Sequence, residues 1–395
     1  MRCNVAIICI LLIFASCGMT DIGETEHMIS DGIWVGKGVS DPESACYVTA
    51  FDYHEGYDWK SDPQKGKVKC TLVLFAGTKP ILKIPVGEAF EISSDPQRHR
   101  IINGDLYSDF SDGMTTVVKK NGREIYRYEG DENVEKMLLH KGRIHTLCRP
   151  VGESGFSYRI DGQLVLERSN GTFYDHISVY RDTVSFFFTH PVASVDGIED
   201  GYYRVSAGTV EKILVDKSVK VWDICQYDGD VCMLVTILKG DAPVMMCGEG
   251  RHTVDYFRNK TILHCRFVDS ERICATIRCQ HSGSNLMTDF YWMADGEWDA
   301  YRFTQTFSCF YADKSRTYAV INPEENMDGL IFYGTRAAMM TRGCHALNRR
   351  CMTVIGGTMY VGLTSYNGGK PVLWTNDKLD TLSVNGYIAS VSSYR

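Results

Sequence analysis

The feature that most constrains this chain is a four-strand unit near its C-terminus, Cys351 to Gly386 (CMTVIGGTMYVGLTSYNGGKPVLWTNDKLDTLSVNG), whose outline earlier segments repeat. Two β-rich runs, Met352 to Ile355 and Met359 to Leu363, flank Gly356-Gly357. A second pair, Pro371 to Trp374 and Leu379 to Val384, flanks Thr375 to Lys378. Gly, Asn and Asp suit such corners because they tolerate positive φ, and β-branched and aromatic residues suit the pleated runs between them.

The clearest copy is Arg100 to Ile102, Leu106 to Phe110, Thr115 to Val118 and Glu124 to Tyr128, turning at Asn103-Gly104 and Asn121-Gly122. The last corner of each unit falls near Gly77, Gly122, Gly162, Gly208, Gly248, Gly296, Gly334 and Asp377. That spacing of roughly 40 residues matches a four-stranded propeller blade. Near-continuous apolar runs such as Val231 to Ile237 suit sheets packed on both faces. The repeat therefore predicts an all-β chain, a β-propeller of about eight four-stranded blades, with seven as the alternative should the first unit be irregular. An unpaired terminal blade would expose a strand edge. The final run, Tyr387 to Tyr394, is expected to close the ring as the inner strand of the blade that the first unit begins, joining the N- and C-terminal strands in one sheet. In that first unit, Gly32 to Val39 and Cys46 to Tyr53 read as strands, followed by a polar insertion from Tyr53 to Lys67.

At 395 residues the chain has room for a sizeable core, and 22 Tyr and 17 Phe favour strands. A net charge of −7 supplies no basic footprint, so nucleic acid is not an expected partner.

The N-terminus carries its own message. A charged start, Met1-Arg2-Cys3-Asn4, leads into the apolar run Val5 to Phe14 and then Ala15-Ser16-Cys17. Such a run is too short for a membrane span, which needs roughly 20 apolar residues, and reads as an export signal. The segment resembles the signal of a bacterial lipoprotein, with Ala15-Ser16-Cys17 matching the end of the lipobox and Phe14 standing where Leu is usual. The resemblance implies that residues 1–16 are a signal peptide and that Cys17 is the lipidated residue. Residues 17–30 then form a flexible acidic tether, and residues 31–395 the propeller domain. An ordinary signal peptide is the alternative.

Of 15 Cys, three lie in the leader and 12 remain. Export permits disulfides. Most of these cysteines, however, sit inside apolar strand-like runs, where Cys acts as a small buried hydrophobe. Mostly free thiols are expected, with Cys225 and Cys232 as the first pair to test.

The repeats also carry a family likeness. Met359 to Asn367 (MYVGLTSYN) and the corner Val372-Leu373-Trp374-Thr375-Asn376, with echoes at Val118 to Gly122 and Tyr158 to Gly162, resemble the repeats of poorly characterised lipoproteins of gut Bacteroidetes. The middle units depart from that pattern, having Cys and Phe where the family has Tyr or Ala. The resemblance implies a repeated propeller-like domain held at the outer membrane by a lipid anchor. It brings no catalytic residues.

Chemistry is sparse. There is no GxSxG elbow, HExxH, Walker loop or GxGxxG motif, and no cofactor is expected. His264-Cys265 with Cys274 and Cys279, and Cys344-His345 with Cys351, lack paired CxxC spacing and read as core cysteines rather than metal sites. Asp196, Glu199 and Asp200, with Asp295, Glu297 and Asp299, are acidic loop or corner residues that could serve glycoside cleavage if two converged at the propeller mouth. Tyr53, His54, Tyr57, Asp58 and Trp59 cluster in the first-unit insertion, where aromatic faces suit sugars or protein partners. The leading expectation is a non-enzymatic envelope lipoprotein that binds or scaffolds a glycan or protein partner, touching the membrane only through its lipid. The alternative is a carbohydrate-active hydrolase or lyase using mouth carboxylates. A purely structural part of an envelope complex is a third reading.

Overall fold

A computed structural model of the chain describes residues 32–36, 45–58, 69–86, 98–111, 113–191, 199–213, 215, 219–237, 244–247, 250–253, 262–268, 274–280, 288–294, 297–303, 307–313, 316–322, 330–333, 336–341, 343–347, 350–365, 369–376 and 378–394. The leader, the tether, and the corners at Gly248, Gly296 and Gly334 lie outside these residues.

Tight turns set the strands. At Asn103-Gly104, Asn121-Gly122, Lys141-Gly142, Asp161-Gly162, Ala207-Gly208 and Asp228-Gly229 both central residues have positive φ, 46–52° at the first and 73–92° at the second. This is the two-residue geometry whose twist matches that of the flanking strands. Arg181-Asp182 adopts it without glycine, at 46° and 66°. The Asn or Asp that opens an outer corner does more than tolerate the turn. Asn121 Oδ1 accepts from the Leu106 amide at 2.8 Å, and Asp161 Oδ1 accepts from the Ile144 amide at 2.8 Å. In two successive units, then, the outer corner is tied to the start of the second strand.

Among the described residues the strands form eight antiparallel sheets. The second runs His99–Ile102, Asp105–Ser111, Thr115–Lys120, Arg123–Glu129, and the next five sheets repeat this consecutive order. The first sheet draws on both ends of the chain. Its order is Gly386–Ser392, Tyr47–Tyr53, Cys70–Ala76, Lys79–Val86, Ile33–Trp34. The terminal strand thus takes the position that the sequence assigns to it, opposing Tyr47–Tyr53 from Tyr47↔Ser392 to Asp52↔Gly386. Ile33–Trp34 is a fifth strand on the outer edge, beside Lys79–Val86, because the inner place is already filled by the C-terminus. In the eighth sheet the first strand is in two pieces, Cys344–His345 and Met352–Ile355, both pairing with Thr358–Ser365.

Apolar side chains link successive sheets. Tyr53, Leu72 and Leu82 of the first sheet pack with Ile101, Leu106 and Phe110 of the second. Between the third and fourth sheets, the Phe156 and Phe188 rings are 5.2 Å apart, and Tyr158 and Phe186 5.0 Å apart. The eighth sheet places Trp374, fully buried, in a cluster shared with Val320 of the seventh and Phe75 of the first. Burying each such ring contributes about 2–3 kcal/mol, so the interfaces between sheets, more than any single sheet, stabilise the fold.

The cysteines need one correction. Among the described residues nine thiols are buried or half-buried, but Cys232 is bonded to Cys247, not Cys225. Three strands place Cys225, Cys232 and Cys247 in one cross-strand row, Cys225↔Cys232 and Cys232↔Cys247. Spacing along the chain identifies the first pair only, because the second depends on the register of a third strand.

Candidate functional site

The innermost strands surround a cavity of about 800 Å³, within the range of small-ligand sites, roughly 300–1,000 Å³. Its wall comes from the C-terminal parts of these strands: Lys136 to Leu139 of Glu132–His140, Arg266 to Val268 of Ile262–Val268, Phe310 and Tyr311 of Phe307–Ala312, and Ser390 to Ser392 of Gly386–Ser392. His99 to Asn103, Asp175 to Ile177, Thr276, Arg350, Met352, Thr353 and Ser393 also line it.

The lining mixes apolar and polar side chains, and the charge of its described residues is one-sided. Arg100, Lys136, Arg266 and Arg350 face the cavity with a single carboxylate, Asp175, among the described lining residues. Arg100 is buried, 3.6 Å from the Asp109 carboxylate, and donates to the Val134 carbonyl. Arg98 stands on the other side of the same carboxylate, at 3.8 Å. His99, enclosed between these two arginines and 3.1 Å from Ser108 Oγ, is pushed down to about 3, first by burial and then by its cationic neighbours. It is therefore a neutral ring at physiological pH. His176 Nε2 lies 3.0 Å from Asp223 Oδ2, which also accepts from the Phe267 amide at 2.7 Å. Asp223 Oδ1 accepts from the Ile224 amide at 2.9 Å. A buried carboxyl with this many donors holds the imidazole in one orientation at the wall.

The first-unit lip lies elsewhere. Tyr53 is buried in the core, its ring 5.1 Å from Tyr57 and 6.4 Å from Tyr387. Tyr57 is half-buried against the same cluster, whereas His54 and Asp58 are exposed and Trp59 lies outside the described residues. Because Tyr47–Tyr53 runs antiparallel to Gly386–Ser392, Tyr53 sits beside Gly386. Ser390 is four residues further along, about 13 Å at a strand's rise per residue. Tyr53 and Ser390 thus lie towards opposite ends of this strand pair.

Of the acidic loop residues, Glu199 and Asp200 do not line the cavity. Glu199 is exposed and bonded at 2.6 Å to Lys212, which lies on the outermost strand Thr209–Ile213. Glu297 and Asp299 belong to another outermost strand, Glu297–Phe303. Asp200 is exposed, and Asp196 and Asp295 lie outside the described residues. Among the described residues no group of three or more His, Cys, Asp or Glu is placed to hold a metal ion. Cys17 also lies outside the described residues.

The sequence reading passed over His99-Arg100, Lys136, His176, Arg266 and Arg350. A signal was present: each of the first four positions is a charged or titratable residue inside the first strand of a unit, where an inner strand packed on both sides calls for apolar side chains.

No protein-family model matches the chain, and no curated protein sequence matches it. Among solved structures it is similar to dihydro-heme d1 dehydrogenase NirN in complex with DHE, with a TM-score of 0.52 and 9% identity over 92% of this chain and 80% of that one. The fold is a β-propeller. The propeller domain of the Trilobed protease from Pyrococcus furiosus is also similar, with a TM-score of 0.43 and 10% identity over 80% of this chain and 98% of that one. At such identities the likeness concerns the fold alone.

Proposed function

We propose that this propeller is a non-enzymatic binding protein of the cell envelope, anchored through Cys17, that receives a glycan or protein partner at the cavity between its inner strands. The observation that carries the reading is the cavity lining, where side chains from many strands, four cationic ones among them, converge with one carboxylate among the described residues. Recognition is served by such a surface. Glycoside cleavage calls for two carboxylates flanking the scissile bond, and Glu199 is instead engaged with Lys212 at the outer edge. His54 and Asp58, exposed and absent from the cavity lining, offer a separate surface to a second partner.

The test is a panel of soluble polysaccharides run by affinity electrophoresis against the wild type, Thr353→Trp and Tyr57→Ala. Thr353 lines the cavity and is half-buried, so an indole there occupies ligand space. Retardation by a polysaccharide that Thr353→Trp abolishes and Tyr57→Ala keeps supports the reading. Retardation indifferent to Thr353→Trp, or turnover of a polysaccharide, overturns it.

A further inference from the structure

We infer that the outer edge at Ile33, Trp34 and Val35 is a second membrane contact beside the lipid, a wedge that rests among the headgroups of an anionic bilayer surface. This goes beyond the cavity reading and rests, for the anchor, on the assignment of Cys17.

The edge is unlike the other rims. Ile33, Trp34 and Val35 are 58%, 54% and 48% exposed, three apolar side chains in succession. The strand Ile33–Trp34 pairs with Lys79–Val86 and, among the described residues, with no strand on its other side. The outermost strands Arg123–Glu129, Gln163–Arg168, Thr209–Ile213 and Lys378–Thr381 each carry charged residues instead. Charge on an edge deters association, and an exposed apolar run without it is ordinarily kept only where something covers it. The segment is also held in place. The Val35 amide donates to the Ile81 carbonyl at 3.0 Å. A Cβ at Gly32 would lie 2.3 Å from the Asn121 carbonyl oxygen, and one at Gly36 2.9 Å from that of Pro80, so two glycines let the strand lie close against the first sheet and a corner of the second.

Cations frame the edge. Lys83 is directly opposite Ile33, Lys79 opens the same partner strand, and Arg123 follows the Asn121-Gly122 corner. All three are exposed, and none has an ion pair among the described residues. The carboxylates beside that corner, Asp105 and Glu124, are engaged by Lys120 at 2.8 Å and Arg127 at 2.7 Å. An indole between aliphatic chains, flanked by cations, suits a bilayer interface: the ring sits at headgroup depth and the cations meet lipid phosphates.

Chain length and area choose the occupant. Ile33 follows Cys17 by 16 positions, a length that spans at most about 55 Å. A lipid at Cys17 therefore keeps this edge near the bilayer at a high effective concentration, and a contact made by a tethered chain needs little area. A second copy fits less well, because three half-exposed side chains fall well short of the roughly 1,200 Å² that a stable interface buries. Trp34 also points to the opposite side of the strand from Ile33 and Val35. The surface is thus a wedge, which suits insertion between headgroups better than docking on a flat protein face.

Fluorescence quenching by brominated lipid tests this. Wild type is reconstituted through its lipid into vesicles of equimolar phosphatidylcholine and phosphatidylglycerol, with or without phosphatidylcholine brominated near the top of its acyl chains. Bromine should remove part of the tryptophan emission, and Trp34→Phe should abolish that loss. Lys79→Gln/Lys83→Gln, or vesicles of phosphatidylcholine alone, should cut it by about half or more. A parallel chain with Cys17→Ser and a hexahistidine in place of residues 1–16, held on the same vesicles by a nickel-chelating lipid, should show the same Trp34-dependent loss. If that chain shows it while wild type takes up no palmitate, the anchor assignment fails and the edge contact stands. Quenching that Trp34→Phe leaves unchanged, no quenching in either chain, or quenching indifferent to both the lysines and the anionic lipid overturns the inference. So does a wild-type dimer in sedimentation velocity that Trp34→Glu makes monomeric, since a second copy would then cover the edge.

Discussion

Thr49 Oγ1 and Ser390 Oγ lie 2.6 Å apart in the buried interior, although 341 positions separate them in the chain. The contact joins a strand from the N-terminal part of the domain to the last strand of the chain, in register at Thr49↔Ser390. A sheet assembled from both ends makes the stability of the first unit depend on the last ten residues.

Deleting residues 386–395 should therefore lower the thermal midpoint of the whole domain and broaden its unfolding, since Phe51, Ala50 and Val48 lose a paired neighbour. Unfolding that stays as cooperative and as hot as in the full chain contradicts this. Gly386→Ala is the milder counterpart. A Cβ at that position would lie 2.1 Å from the Phe51 carbonyl oxygen, so the two strands must separate, and a cost of about 1–3 kcal/mol is expected in denaturant unfolding. Thr49→Val leaves the Ser390 hydroxyl without this partner, at roughly 1–3 kcal/mol.

How much of this was legible beforehand depended on whether the signal was local. Asn121-Gly122 and Asp161-Gly162 announce their turns in two letters, because few residues accept positive φ twice in succession. The terminal strand was legible as a run left over after eight units. Ile33–Trp34 was legible as a strand but not as an outer edge, since that position follows from which strand occupies the inner place. The cavity was hidden for the same reason: His99, His176, Arg266 and Arg350 are single residues in separate units, and only the ring arrangement brings them to one wall.

Disulfide mapping under non-reducing conditions, with thiols alkylated before digestion, should recover a Cys232–Cys247 link. Cys225 lies directly across from Cys232 on the other side. Thiol–disulfide exchange needs an attacking thiolate beside the bonded sulfur. In Cys247→Ser, Cys232 should accordingly be recovered bonded to Cys225 after oxidation. Recovery of Cys225–Cys232 in the wild type, with Cys247 alkylated, would show that the register at Val244–Cys247 is wrong.

Stability should fall on acidification through the titration of His99. In the folded protein its pKa is lowered to about 3, whereas in the unfolded chain it protonates near 6.5. Between these values the unfolded state binds the extra proton, so the contribution is intact above about pH 6.5 and is lost progressively towards pH 3, on the order of a few kcal/mol in total. His99→Gln keeps a polar side chain and cannot titrate. Its unfolding free energy should be flatter over that window than that of the wild type, and parallel pH profiles would remove His99 as the cause.

Anchoring is tested independently of the fold. In a bacterial host with lipoprotein processing, the wild type should incorporate labelled palmitate and fractionate with membranes, and Cys17→Ser should do neither. Label retained in Cys17→Ser sinks the assignment of Cys17.

The most direct test of the binding account is hydrogen exchange of the full-length protein with and without a saturating polysaccharide that retards the wild type in affinity electrophoresis. The predicted result is slowed exchange in peptides covering His99 to Asn103, Phe310 to Tyr311, Arg350 to Thr353 and Ser390 to Ser393, with no change around His54 to Asp58. Protection confined to His54 to Asp58, or no protection at the inner strands, would contradict it.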